Sequence, residues 1–150
     1  MRVIFRDMAQ WDAEWLVRSE GGVRTVPGFA FLCAQPSNVR IHLLAIVDAV
    51  RHTGPDQWRD TTTHDSMEEN CAHLHEARDR QGQTLYRLYL RWQRDKRRVV
   101  IIDGGAKANT TTLPDSFYQS LAELAATIDR EPPPFATADD FARIALSLTP

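Results

Sequence analysis

Residues 84–92, Thr84-Leu-Tyr-Arg-Leu-Tyr-Leu-Arg-Trp92, decide the fold. Side chains along a β-strand alternate between two faces. Tyr86, Leu88, Leu90 and Trp92 therefore share one side, and Leu85, Arg87, Tyr89 and Arg91 the other. The first set reads as core, while the second carries guanidinium and phenol groups. Nine residues with this period and this share of aromatic and aliphatic side chains predict a strand with one buried face.

Working outward, the segment HLHEARD (73–79) precedes this strand and RRVVIIDGG (97–105) follows it. The connections, Arg80-Gln81-Gly82-Gln83 and Gln93-Arg94-Asp95-Lys96, are short enough to join only antiparallel neighbours. The third strand is apolar on both sides, and Asp103-Gly104-Gly105 reads as the turn that ends it. Further on, Asp115 or Ser116 caps a helix with Phe117, Leu121, Leu124 and Ile128 on one stripe. Glu131 and three prolines break it, and a C-terminal helix is expected over 135–148. Upstream, Ser37 or Asn38 caps a helix whose buried stripe is Val39, Leu43, Ile46, Val47 and Val50, stopped at Gly54-Pro55. Residues 56–70 read as a loop. In the first third, VRTVPGFAFLCA (23–34) reads as strand, and Ala9 to Gly21 as a helix stopping at Gly21-Gly22. Trp11, Trp15 and Trp58 are core or interface anchors. The expectation is one α+β domain over 1–150.

The chain has 150 residues, 43% of them hydrophobic, enough for a core of its own. No apolar run approaches the roughly 20 residues that span a bilayer, and acidic residues interrupt the N-terminus, so a cytoplasmic protein without a membrane role is expected. Cys33 and Cys71 form no C-x-x-C pair, so both are read as reduced. The formal charge is −2. From His73 to Lys107, however, nine basic side chains stand against four acidic ones, a local excess of five. The acidic total argues against a non-specific nucleic-acid coat, and the basic middle points to a localised anion-binding face.

A helix ending in His52-Thr53-Gly54-Pro55, then HLHEARD, TLYRLYLRW, RVVIIDGGAK and LPDSFYQSLAEL, is an order of parts that resembles the RelE/HigB-like toxins, including their phage-derived Gp49-like branch. The resemblance covers about residues 38 to 130, leaving an N-terminal extension (1–37) and a C-terminal helix outside it. It rests on Leu74 to Arg78, Tyr86-Arg87, Gly105 to Lys107 and Tyr118. It implies helices packed on a small antiparallel sheet whose basic concave face cuts messenger RNA, usually on the ribosome. It also implies a cognate antitoxin, of helix-turn-helix type, that masks this face.

Metal-free RNA cleavage needs a group to take the 2′-hydroxyl proton and cations to hold the phosphate as charge builds. Arg78, Arg87 and Lys107 are the expected phosphate clamp, His75, with His73 on the same face of its strand, the candidate base, and Tyr118 a group that orients the phosphate or stacks on a base. His73, Arg80, Tyr89 and Arg91 are expected to touch RNA through charge and stacking. The plain alternative for each is a solvated sheet face with surface ion pairs, or a tyrosine packed on the sheet. No phosphate-loop pattern is present around Gly104-Gly105, and His64, Asp65, Glu68, Glu69, Cys71, His73 and His75 match no zinc or calcium spacing, so neither metal nor cofactor is expected. Two rivals share the fold: a non-catalytic protein- or nucleic-acid-binding module, and a ParE-like gyrase inhibitor.

Overall fold

A computed structural model describes residues 11–54, 64–66, 74–130 and 135–137. Its centre is the expected meander of β5 (Leu74–Gln81), β6 (Thr84–Gln93) and β7 (Arg98–Ala108), each pair antiparallel. Gly82, with φ 59°, turns the first hairpin, and Arg97, with φ 49°, closes a 3-10 turn at Arg94–Lys96 before the third strand. The mixed α+β class expected from sequence is observed.

The sheet is wider than expected and not wholly antiparallel. Its order is β4-β5-β6-β7-β1-β8, with β4 at His64–Ser66, β1 at Asp12–Leu16 and β8 at Phe135–Thr137. β1 runs parallel to β7, with Trp15 opposite Ile101. The helix expected over Ala9 to Gly21 is therefore two strands in its described part, β1 and, at Arg18–Glu20, β2. Trp11 and Trp15 are four apart, which suits one face of a helix, but they are also an even number apart, which suits one face of a strand. Burial chooses the strand: Ala13 and Trp15 enter one core, and Leu16 the other. Gly21 and Gly22, expected to stop that helix, form the turn of a small hairpin between β2 (Arg18–Glu20) and β3 (Val23–Thr25). Both have positive φ, 57° and 80°, as a two-residue type I′ turn requires.

The segment expected as strand after Val23 becomes α1 (Pro27–Cys33), opened by Pro27, whose fixed φ suits a first helical turn. α2 (Ser37–Thr53) has the expected stripe, but Pro36 stands at its N-cap and no side chain caps it, so Ser37 lies inside the helix. α3 (Asp115–Arg130) follows β7 as expected. Phe135–Thr137, expected as helix, instead pairs antiparallel with β1. Trp58, Cys71, His73 and the rest of the expected C-terminal helix lie outside the described residues, as does the expected loop apart from β4.

Two cores result. Leu32 and the α2 stripe pack on Trp15, Ala77, Leu88, Leu90, Trp92, Val99 and Ile101 on one face. Leu121, Ala125 and Ile128 of α3 pack on Leu16, Leu74, Tyr89, Val100 and Ile102 on the other. β7 does not end at Asp103-Gly104-Gly105 but runs through it. A methyl at Gly104 would overlap the Phe31 ring, and one at Gly105 would lie 3.6 Å from the Tyr89 hydroxyl. Gly104 marks the close approach of Phe31, and neither glycine marks a turn.

Candidate functional site

Register sorts the candidate residues. Arg78 stands opposite Arg87, Glu76 opposite Tyr89, and Arg80 opposite Leu85. On the far side of β6, Tyr89 faces Asp103, Arg87 faces Gly105, and Leu85 faces Lys107. Cross-strand partners share a face. Arg78, Arg80, Arg87, Tyr89, Arg91 and Lys107 therefore all project toward α3, whose first turn supplies Phe117 and Tyr118.

The face is not the open basic surface that alternation alone implies. The Arg87 side chain is 4% exposed and donates from Nη1 to Glu76 Oε2 at 3.2 Å. Its guanidinium carbon lies 5.1 Å from the Tyr89 ring centre and 6.0 Å from that of Phe117, within cation–π range. It also hydrogen-bonds to Tyr118. Burial works against its charge, but Tyr89, Glu76 and Tyr118 together hold its pKa above the ordinary value. Arg78 approaches the other Glu76 oxygen at 3.9 Å. One buried carboxylate thus lies between two guanidiniums, and sequence reading had counted it only as a charge.

Tyr89, expected to stack on RNA, is 1% exposed, and its buried hydroxyl finds no hydrogen-bond partner among the described residues. Burial pushes that phenol far above its usual range. Arg91 is half-buried and donates to the Trp92 carbonyl at 3.2 Å. Lys107 is half-buried, with its Nζ donating to the Thr111 carbonyl at 2.8 Å, while Arg80 is exposed. Among these candidates the cations that keep some exposure are therefore Arg80, Lys107, Arg91 and in part Arg78, around a core that contains Arg87 and Tyr89.

His75 is not brought into this group. It pairs with Leu90 and packs edge-on to Trp92, ring centres 6.5 Å apart, on the α1/α2 face. A phosphate held by Arg78 or Lys107 lies across the sheet from its imidazole. Period two already separates residue 75 from residue 78. Sequence reading also missed His42, on α2, whose Nδ1 meets Asp79 Oδ1 at 2.6 Å while Gln81 donates to both Asp79 oxygens. Asp79 is 3% exposed, so this contact ties α2 to the end of β5. No sequence spacing links two residues 37 apart.

Among the described residues no three His, Cys, Asp or Glu side chains gather as a metal site, and no helix is long and apolar enough to cross a membrane. Comparison with protein-family models, with curated proteins and with solved structures found no match, so any reading of this chain's activity rests on its own residues and geometry.

Proposed function

We propose that this chain is a RelE-like toxin of a toxin–antitoxin pair, a metal-independent endoribonuclease acting on messenger RNA on the ribosome. The observation that supports this reading is the convergence of Arg78, Arg87, Lys107 and Tyr118 on one face of the meander, from three strands and a helix and across 40 residues of sequence. These are the residues that carry the resemblance, and the order of α2, meander and α3 also follows it. In this reading Arg78 and Lys107 hold the phosphate, and Arg87 acts from behind by fixing Tyr118. The proton of the 2′-hydroxyl then goes to a group other than His75. Cytoplasmic location, and an antitoxin of helix-turn-helix type that covers Arg78, Arg80 and Lys107, belong to the same proposal.

A second reading, a non-catalytic binding module, draws support from the burial of Arg87 and its neutralisation by Glu76. Inducible expression in a bacterium separates them. The toxin reading expects growth arrest with falling message levels, abolished in an Arg78→Ala, Lys107→Ala double variant that still folds. Arrest of replication with intact messages would move the chain to the gyrase-inhibitor class, and normal growth on wild-type expression would sink the toxin reading.

A further inference from the structure

A cleft of about 460 Å3 opens between the start of β2, the middle of β7 and one flank of α3. This lies within the roughly 300–1,000 Å3 typical of small-molecule sites. Phe117 and Leu124 give it an apolar wall, and Arg18, Asp103, Ser120 and Glu123 supply polar groups. Asp103 accepts the Gly104 N–H at 2.7 Å through Oδ1, which uses one of the roughly four lone-pair positions of the carboxylate. Burial raises its pKa, while that N–H and Arg18 lower it. Asp103 is thus a partly desolvated acceptor within the field of a guanidinium, beside an aromatic ring.

We propose that this cleft holds a guanine base, with its Watson–Crick edge on Asp103, its O6 and N7 side toward Arg18 and its face against Phe117. Guanine offers two neighbouring donors, N1–H and the N2 amino group, which one carboxylate accepts together, and an acceptor side that suits arginine. Adenine turns an acceptor nitrogen toward the carboxylate, and cytosine offers a single donor group flanked by an acceptor. Glu123, exposed at the rim, suits a ribose hydroxyl. The inference stands without the ribonuclease reading but is compatible with it. Asp103, Gly105 and Lys107 alternate on one face, so Lys107 lies roughly 13 Å along the strand from the base.

The test is titration of the purified chain with GMP, IMP and AMP by calorimetry. GMP should bind, IMP, which lacks the amino group, at least about tenfold more weakly, and AMP more weakly again. Asp103→Asn should lower GMP affinity by about tenfold or more without unfolding the chain, since it replaces a half-buried carboxylate by an amide of the same shape. A single-stranded oligouridine carrying one guanosine, run beside GMP, tells an RNA base from a free nucleotide: tighter binding of the oligomer assigns RNA, and equal or weaker binding the nucleotide. Equal affinity for GMP and AMP, no GMP binding at millimolar concentration, or an unchanged Asp103→Asn variant would overturn the proposal. Translational arrest by a chain blind to guanine removes the cleft alone, whereas guanine discrimination by a harmless chain removes the toxin reading alone.

Discussion

Breaking the Arg87–Glu76 pair should cost far more than a surface ion pair would. The two side chains are 4% and 9% exposed and 3.2 Å apart, and removing one partner of a buried pair strands the other charge at a cost of about 3–5 kcal/mol. The two single variants should differ. In Arg87→Met, Glu76 keeps Arg78 at 3.9 Å, which places the loss near the lower end. In Glu76→Gln, Arg87 stays buried among Tyr89, Phe117 and Tyr118 without a carboxylate, which places it near the upper end. An Arg87→Met, Glu76→Leu double variant should recover most of the loss, because apolar replacement of a whole buried pair is often neutral. Urea unfolding followed by fluorescence of the buried Trp15 and Trp92 reads this directly. With a slope of about 2 kcal/mol per molar urea, the single variants should move the midpoint down by about 1.5–2.5 M. Single-variant losses under about 1 kcal/mol would refute the reasoning, for they would mean that α3 does not cover the pair in solution. The result also governs functional tests, since an inactive Arg87→Ala chain that is simply unfolded says nothing of RNA.

Gly104→Ala drives a methyl into the Phe31 ring and should cost about 1–3 kcal/mol, while Gly105→Ala, in ordinary contact with Tyr89, should stay within about 0.5 kcal/mol; paired thermal melts check the contrast. Tyr89→Phe removes a buried hydroxyl that has no hydrogen-bond partner among the described residues, so urea unfolding should show a variant as stable as the parent or up to about 1–2 kcal/mol more stable. Asp103 has a raised pKa in the folded chain because of burial, offset in part by the Gly104 N–H and Arg18. Between the ordinary carboxyl value of about 3.9 and the raised folded value the native state binds more protons than the unfolded one, so this group makes stability fall as pH rises through that window. Asp103→Asn should therefore be more stable than the parent at neutral pH and lose that advantage below about pH 4, measured by melts across pH.

The meander, α2 and α3 were legible because each shows its own period over nine or more residues, bounded by Gly, Pro or a capping acid. The first third was not, because Trp11 and Trp15 satisfy both periods. Only the long-range partner, β7, decides between them, and no local pattern names it. The site was half legible for a related reason. Alternation put Arg87, Tyr89 and Arg91 on one side of β6, but it carries no information on which side meets water. α3 covers that side, 26 residues after Arg91 if counted to Phe117, and turns Arg87 and Tyr89 from expected RNA contacts into a polar layer of the core. His75 failed differently: its parity was visible, and the register places it where that parity says.

The feature least visible in the sequence does most to assemble the site. Across β6 and β7 the register shifts between Tyr89 and Leu90: Leu90 opposes Ile101, whereas Tyr89 opposes Asp103, so Ile102 is an extra residue. Before this bulge the even-numbered residues of β7 face α3, as Val100 and Ile102 do; after it the odd-numbered ones do, as Asp103, Gly105 and Lys107 do. A one-residue shift exchanges the faces of everything beyond it. Without Ile102 as the extra residue, strict alternation would send Asp103 and Lys107 to the α1/α2 face, away from Arg87, and Gly104 would no longer receive Phe31. Gly104 fits the same event, because the Phe31 ring approaches so closely there that only a bare backbone leaves room, whereas Gly105 opposite Arg87 keeps ordinary van der Waals room toward Tyr89. The Asp103-Gly104-Gly105 segment is thus neither a phosphate loop nor a turn. It is the place where one strand changes parity, and through that change a lysine, a carboxylate and two arginines from separate strands come to share a face.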